Sequence, residues 1–155
     1  MSGHSCRNFN DVDQPMPAET IEAIPVVGAL GAEILGVDLS KDPNNESFDA
    51  IHQALLDHNA IFFRNQNITP DQQLGFAKRF DDTHLQPYMR GLPDNSGIFE
   101  ILKTETDPHN FGRVWHTDQV FAAKPAMGAT LFAKEIPDAG GDTLFANMCA
   151  AYDAS

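Results

Sequence analysis

The chain has 155 residues, 42% of them apolar, enough for one domain with a buried core. Its 22 acidic and 10 basic residues give a formal net charge of −12, which repels nucleic-acid phosphates and anionic bilayers, so neither nucleic acid nor membrane is an expected partner. With Cys6 and Cys149 as the only cysteines, no charged-then-apolar leader and no apolar run near the roughly 18 to 20 residues that span a bilayer, the expected location is a reducing cytoplasm.

Residues 1–20 are polar and carry Asp11, Asp13, Pro15 and Pro17 with almost no periodicity; such a stretch offers too little apolar surface to offset its ordering entropy and reads as a disordered tail. From about residue 21 the composition changes. Val26-Val27 and Ile34-Leu35 with Val37 are β-branched runs set off by Gly28, Gly31 and Gly36, and they predict two short strands. Phe48, Ile51, Ala54 and Leu55 have helical spacing, with Asn45 or Ser47 as candidate caps and Asn59 as a stop. Ile61-Phe62-Phe63 suits a buried strand. Thr69-Pro70-Asp71-Gln72 combines an N-cap, a first-turn proline and a capping-box glutamine, which predicts a second helix running to about Phe80.

Beyond Phe80 a loop rich in Pro and Gly extends to Gly97, and strands are predicted over Ile98–Leu102, Val114–Asp118 and Met127–Lys134, making the second half mostly β. Gly140-Gly141-Asp142 is a turn leading into Thr143-Leu144-Phe145, after which Asn147 caps a last helix through Ala150, Ala151 and Tyr152. That helical pattern stops at Ser155 after about two turns, too short to be stable alone, and reads as a truncation.

Of the six histidines only His116 has a carboxylate two residues later, in Trp115-His116-Thr117-Asp118. On a strand, positions i and i+2 share a face, so an imidazole nitrogen and a carboxylate oxygen can reach one ion; one more histidine completes a 2-His-1-carboxylate triad, which leaves three positions of an octahedral Fe(II) open. The alternative for so short a motif is a hydrogen-bonded His and Asp at a strand end. Trp115 itself reads as packing. His52 and His58 fall on the first helix, facing solvent, and His109 and His84 lie in loops.

The ordered blocks Trp115-His116-Thr117-Asp118, Pro125, Ala133-Lys134-Glu135-Ile136-Pro137 and Gly140-Gly141-Asp142-Thr143-Leu144-Phe145 resemble the TauD/TfdA (taurine dioxygenase) family of Fe(II)- and 2-oxoglutarate-dependent dioxygenases. The resemblance reaches back through Gly36-Val37-Asp38-Leu39, Ile61-Phe62-Phe63-Arg64 and Ile68-Thr69-Pro70, covering about residues 24–155. It implies an α+β, mostly β fold: a double-stranded β-helix, jelly-roll-like, with flanking helices, of which residues 21–155 would form the N-terminal part.

The resemblance implies His116 and Asp118 as iron ligands and Thr143 as a hydrogen-bond partner of 2-oxoglutarate. The third iron ligand and the arginine that pairs with the distal carboxylate of 2-oxoglutarate are then expected beyond Ser155. The implied reaction hydroxylates a small organic acid, such as a sulfonate of the taurine kind, using Fe(II), 2-oxoglutarate and O2 and releasing succinate and CO2. Taurine-type members place a sulfonate-binding histidine where this chain has Gln86, and a substrate-side asparagine where it has Gly112. Gln86, Tyr88 and Phe121 are the candidate substrate residues. A small-molecule acid is the expected partner, with a second copy of the chain as a further candidate. The rival readings are a hydrolase using the same His-Asp pair, and a non-catalytic truncated fragment or assembly subunit.

Overall fold

The computed structural model describes residues 20–28, 30–84, 89–104, 106–108, 112 and 114–155. The expected tail therefore lies outside the described residues except for position 20. Strand β1 (Glu22–Val27) and strand β2 (Leu30–Leu35) pair antiparallel, with Val27 opposite Leu30 and Glu22 opposite Leu35. Gly36 ends β2 at φ +79°, and a Cβ there would run into the Thr20 carbonyl, so glycine is required twice over. Ala32 and Ile34 are buried while β1 keeps Ile24 and Val26 exposed, consistent with an edge strand that also contains Pro25.

Helix α1 (Asn45–His58) then crosses over to strand β3 (Ile61–Phe62), which pairs parallel to β2 with Ala32 opposite Ile61. The cap is Asn44, one residue before the predicted Asn45: its side-chain oxygen accepts the Ser47 N–H at 2.8 Å. Asn59 ends the helix as predicted, at φ 61°, with its N–H donating to the Leu55 carbonyl. Helix α2 (Pro70–Lys78) begins with the predicted capping box, Thr69 accepting from Gln72 N–H and the Gln72 side chain accepting from Thr69 N–H.

These elements close one core of Ile34, Leu39, Phe48, Ile51, Ala54, Ile68 and Phe76, with Phe63, Phe80 and Phe132 packed around it. Phe80 sits edge-on to Phe48 at 4.8 Å and to Phe76 at 5.3 Å, so the aromatic cluster welds α1 to α2. Arg79 stacks over Phe48 at 4.3 Å and its guanidinium donates to Asp42, Pro43 and Asn45, fastening the end of α2 to the start of α1. Gln66 does the same for the loops, accepting from Leu39 N–H and donating to the Val37 and Arg64 carbonyls. His52, expected at the solvent face, is half-buried and stacks on Phe48 at 6.1 Å.

The second half departs from expectation. Residues 98–102, 114–118 and 127–134 follow extended or turning paths but join no sheet; the sheet of the described residues has three strands, in the order β1-β2-β3. A strand is held by ladder hydrogen bonds to a neighbour, and among the described residues these segments add no strand to the three-stranded sheet. Trp115, expected in packing, is 70% exposed. Helix α3 (Met148–Asp153) does form, capped by Asn147 through the Ala150 N–H as predicted. Among the described residues no helix is long and apolar enough to cross a membrane.

Candidate functional site

Among the described residues, several contacts anchor the chain beyond residue 100 to the lobe formed by residues 20–84. Phe132 packs on the core, and Gln73 of α2 donates from Nε2 to the Thr130 carbonyl at 3.2 Å. Farther upstream, Lys124 Nζ pairs with Asp81 Oδ2 at 3.2 Å. The candidate metal segment, residues 114–124, bends into a turn from Asp118 and is not the predicted strand.

In that turn His116 Nδ1 lies 2.7 Å from the Val114 carbonyl oxygen. A carbonyl only accepts, so the proton of this bond sits on Nδ1, and a neutral imidazole is left with its lone pair on Nε2. Nε2 in turn lies 3.3 Å from Asp118 Oδ1. Two lone-pair-bearing atoms facing each other at this distance repel unless a positive charge lies between or beside them: a second proton, making imidazolium, or a metal cation. Two ligands at adjacent octahedral corners, with metal bonds of about 2.1 Å at about 90°, stand about 3.0 Å apart. The observed spacing is within a small side-chain movement of that value, and both side chains are half-exposed or more, so the movement is unobstructed.

The turn makes this approach without the strand register. Gln119 takes φ 51° and the Ala122 N–H donates to the Gln119 carbonyl at 2.9 Å, reversing the chain directly after Asp118. Gly112, at φ +67°, lies beside the ring: a Cβ there would stand 3.5 Å from His116 Cε1. Among the described residues no group of three His, Cys, Asp or Glu side chains converges, so His116 and Asp118 are brought together and His84 does not join them. Phe121, on the turn, is 68% exposed. Thr143 is exposed on the stretch that follows Gly140 and Gly141, both at positive φ. Gln86, Tyr88 and His109 lie outside the described residues.

Sequence reasoning did not find the Val114 carbonyl, because a backbone acceptor leaves no trace in residue identity. Nor did it find Lys124 and Asp81, whose pairing depends on how the loops fold back. Asp81 is held below the ordinary carboxylate range, first by the Asp82 N–H and then by Lys124.

Residues 22–155 match the family described as taurine catabolism dioxygenase TauD, TfdA family. The chain belongs to this family. TauD/TfdA relatives include an alpha-ketoglutarate-dependent sulfate ester dioxygenase of Pseudomonas putida, 37% identical over 133 residues that cover 85% of this chain and 43% of that protein. The (S)-phenoxypropionate/alpha-ketoglutarate-dioxygenase of Sphingobium herbicidovorans is 33% identical over 140 residues, 84% of this chain and 46% of that one. The chain thus spans less than half the length of these relatives. A Burkholderia xenovorans crystal structure assigned as an alpha-ketoglutarate-dependent taurine dioxygenase superposes with a TM-score of 0.51 at 31% identity, over 57% of this chain and 32% of that one.

Proposed function

We propose that this TauD/TfdA chain forms part of an Fe(II)- and 2-oxoglutarate-dependent dioxygenase that hydroxylates a small organic acid of the sulfonate or sulfate ester class in the cytoplasm. The observation that carries the proposal is the pairing of His116 Nε2 with Asp118 Oδ1 at 3.3 Å, with Nδ1 committed to the Val114 carbonyl. Its donor chemistry, one neutral nitrogen and one anionic oxygen, fits two adjacent positions of a divalent iron. When bound, iron and 2-oxoglutarate supply oxygen activation and oxidising power, with succinate and CO2 as coproducts. The Val114 carbonyl fixes the tautomer and aims the ring, as outer partners of metal-bound histidines generally do. Thr143 offers a hydroxyl donor that orients a carboxylate of 2-oxoglutarate without neutralising it, a task that suits an arginine. Gln86, Tyr88 and Phe121 are the residues we propose for contact with substrate, and a neutral amide at Gln86 suits a sulfate ester or aryloxy acid as well as a sulfonate.

The test uses a form of the protein that carries the whole family domain. Mixed anaerobically with Fe(II) and 2-oxoglutarate it should develop the weak visible band of the chelate, and on admission of air it should yield succinate with a sulfonate, sulfate ester or aryloxy acid. Absence of both band and succinate across that panel refutes the proposal. A second reading, a non-catalytic assembly subunit, is favoured by the apolar side chains left open after residue 100. Leu102, Val120, Leu131, Ile136, Leu144 and Tyr152 are each at least 66% exposed. Under that reading the 155-residue chain binds a protein partner and shows no turnover.

A further inference from the structure

Among the described residues three that are not glycine take positive φ: Asn59, Asn65 and Gln119. Asparagine visits this left-handed region readily because its short side chain bonds the nearby backbone, and Asn59 uses it to end α1. Glutamine, one methylene longer, lacks that compensation, so a φ of 51° at Gln119 costs free energy that other contacts must offset. The offset is visible. Gln119 is partly buried while residues 114–118 and 120 are exposed, and its carbonyl accepts the Ala122 N–H at 2.9 Å. Its place in the chain gives the strain a use. Directly upstream, Asp118 Oδ1 stands 3.3 Å from His116 Nε2; downstream, the chain runs to Lys124, which pairs with Asp81 of the lobe. With the downstream chain fastened there, the φ of Gln119 decides how Asp118 is presented to His116.

We propose that Gln119 is a positioning residue: its left-handed backbone, and not its side-chain amide, holds Asp118 beside His116 in the arrangement that takes a divalent cation. This rests on the dioxygenase reading above, within which it assigns metal affinity to a residue that is not a ligand. With Gln119 at negative φ the chain leaves Asp118 in another direction and the two donors part. A cation must then draw them together on binding, and its apparent affinity falls by the fraction of molecules in the convergent state. Backbone strain persists where surrounding contacts over-determine it, and beside a ligand pair it serves to preorganise the donors.

The test is a substitution series at position 119 in the form carrying the whole domain, ordered by tolerance of positive φ and not by side-chain chemistry. Glycine reaches this region freely, alanine shares the ordinary cost but has no amide, and β-branched valine is disfavoured most. In anaerobic calorimetric titration with Fe(II), Gln119→Gly should bind as tightly as the parent or more tightly, and Gln119→Ala should match the parent. Gln119→Val should bind about five- to thirtyfold more weakly. The chelate band of the Val variant should reach the parent's intensity once Fe(II) is saturating. Metal-free thermal melting of all three should superpose on the parent's, because no residue of the turn belongs to the core. Parental affinity in the Val variant, weakened binding in the Gly variant, an Ala variant as weak as Val, a band that stays reduced at saturation, or melting that falls in step with affinity overturns the positioning role alone. A parent that forms neither chelate band nor succinate overturns the dioxygenase reading and this role with it.

Discussion

Replacing Asp118 by Asn separates the two ways of satisfying the lone pairs that meet in the turn. The amide keeps the size of the carboxylate and an oxygen that can accept from a protonated Nε2, but it loses the negative charge. If a proton bridges His116 and Asp118, the variant keeps a hydrogen bond across the same 3.3 Å and little changes. If a cation belongs there, the loss is large. Coulomb's law with the dielectric of bulk water gives about 4 kcal/mol between a divalent ion and a unit negative charge about 2.1 Å away, equivalent to about 10³-fold in affinity where solvation of the freed charge offsets none of it. Changes merely next to a metal ligand already cost about 10- to 100-fold, which sets the floor at about tenfold. The assay is anaerobic calorimetric titration of Fe(II) into the form carrying the whole domain, parent against Asp118→Asn, with His116→Gln as companion. Both variants should weaken binding by about tenfold or more. An Asn variant that binds iron as the parent does would show that Asp118 is no ligand and that the pair is a protonated His-Asp contact.

Ile51 is fully buried at the centre of the core, so Ile51→Ala should cost about 2 to 5 kcal/mol, read as a lowered urea midpoint by far-ultraviolet circular dichroism. Asp38 accepts from the Ser40 hydroxyl at 2.6 Å and the Ser40 N–H at 3.0 Å, with Lys41 beside it, and its pKa is lowered in consequence. The folded state therefore binds fewer protons than the unfolded chain just below the ordinary aspartate value of about 3.9. The stabilisation is present above that value and disappears as pH falls through the depressed folded value. Asp38→Asn should make the acid loss of urea midpoint shallower, and an identical acid slope would contradict this. The open apolar side chains beyond residue 100 should make the isolated 155-residue chain self-associate, seen as a concentration-dependent mass in light scattering; a monomer at high concentration would count against an uncovered apolar face.

Where the sequence was decisive, the cause of each feature is local. The Thr69 capping box, the Asn59 stop and the Asn147 cap each follow from a side chain acting on backbone a few residues away, and each appears where the residues put it. The two short strands β1 and β2 and the apolar stripe of Phe48, Ile51 and Ala54 were legible for the same reason. The chemistry of His116 and Asp118 was visible as residue types at a spacing of two, though attributed to a strand.

Tertiary structure alone decided the rest. Strands over 98–102, 114–118 and 127–134 need ladder partners, and periodicity within a segment says nothing of whether a partner arrives. The His116–Asp118 approach comes from the αL conformation of Gln119 and the Val114 carbonyl, neither of which residue identity encodes. His52 is half-buried against Phe80, which follows α2 and meets its ring edge-on at 5.7 Å. Asp81 and Lys124, far apart along the chain, meet in a part of the molecule where Phe132 also packs on the core and Gln73 reaches the Thr130 carbonyl. Local rules act over a helical turn or a strand step, whereas contacts between segments far apart in the chain depend on long-range packing that no short window of sequence contains.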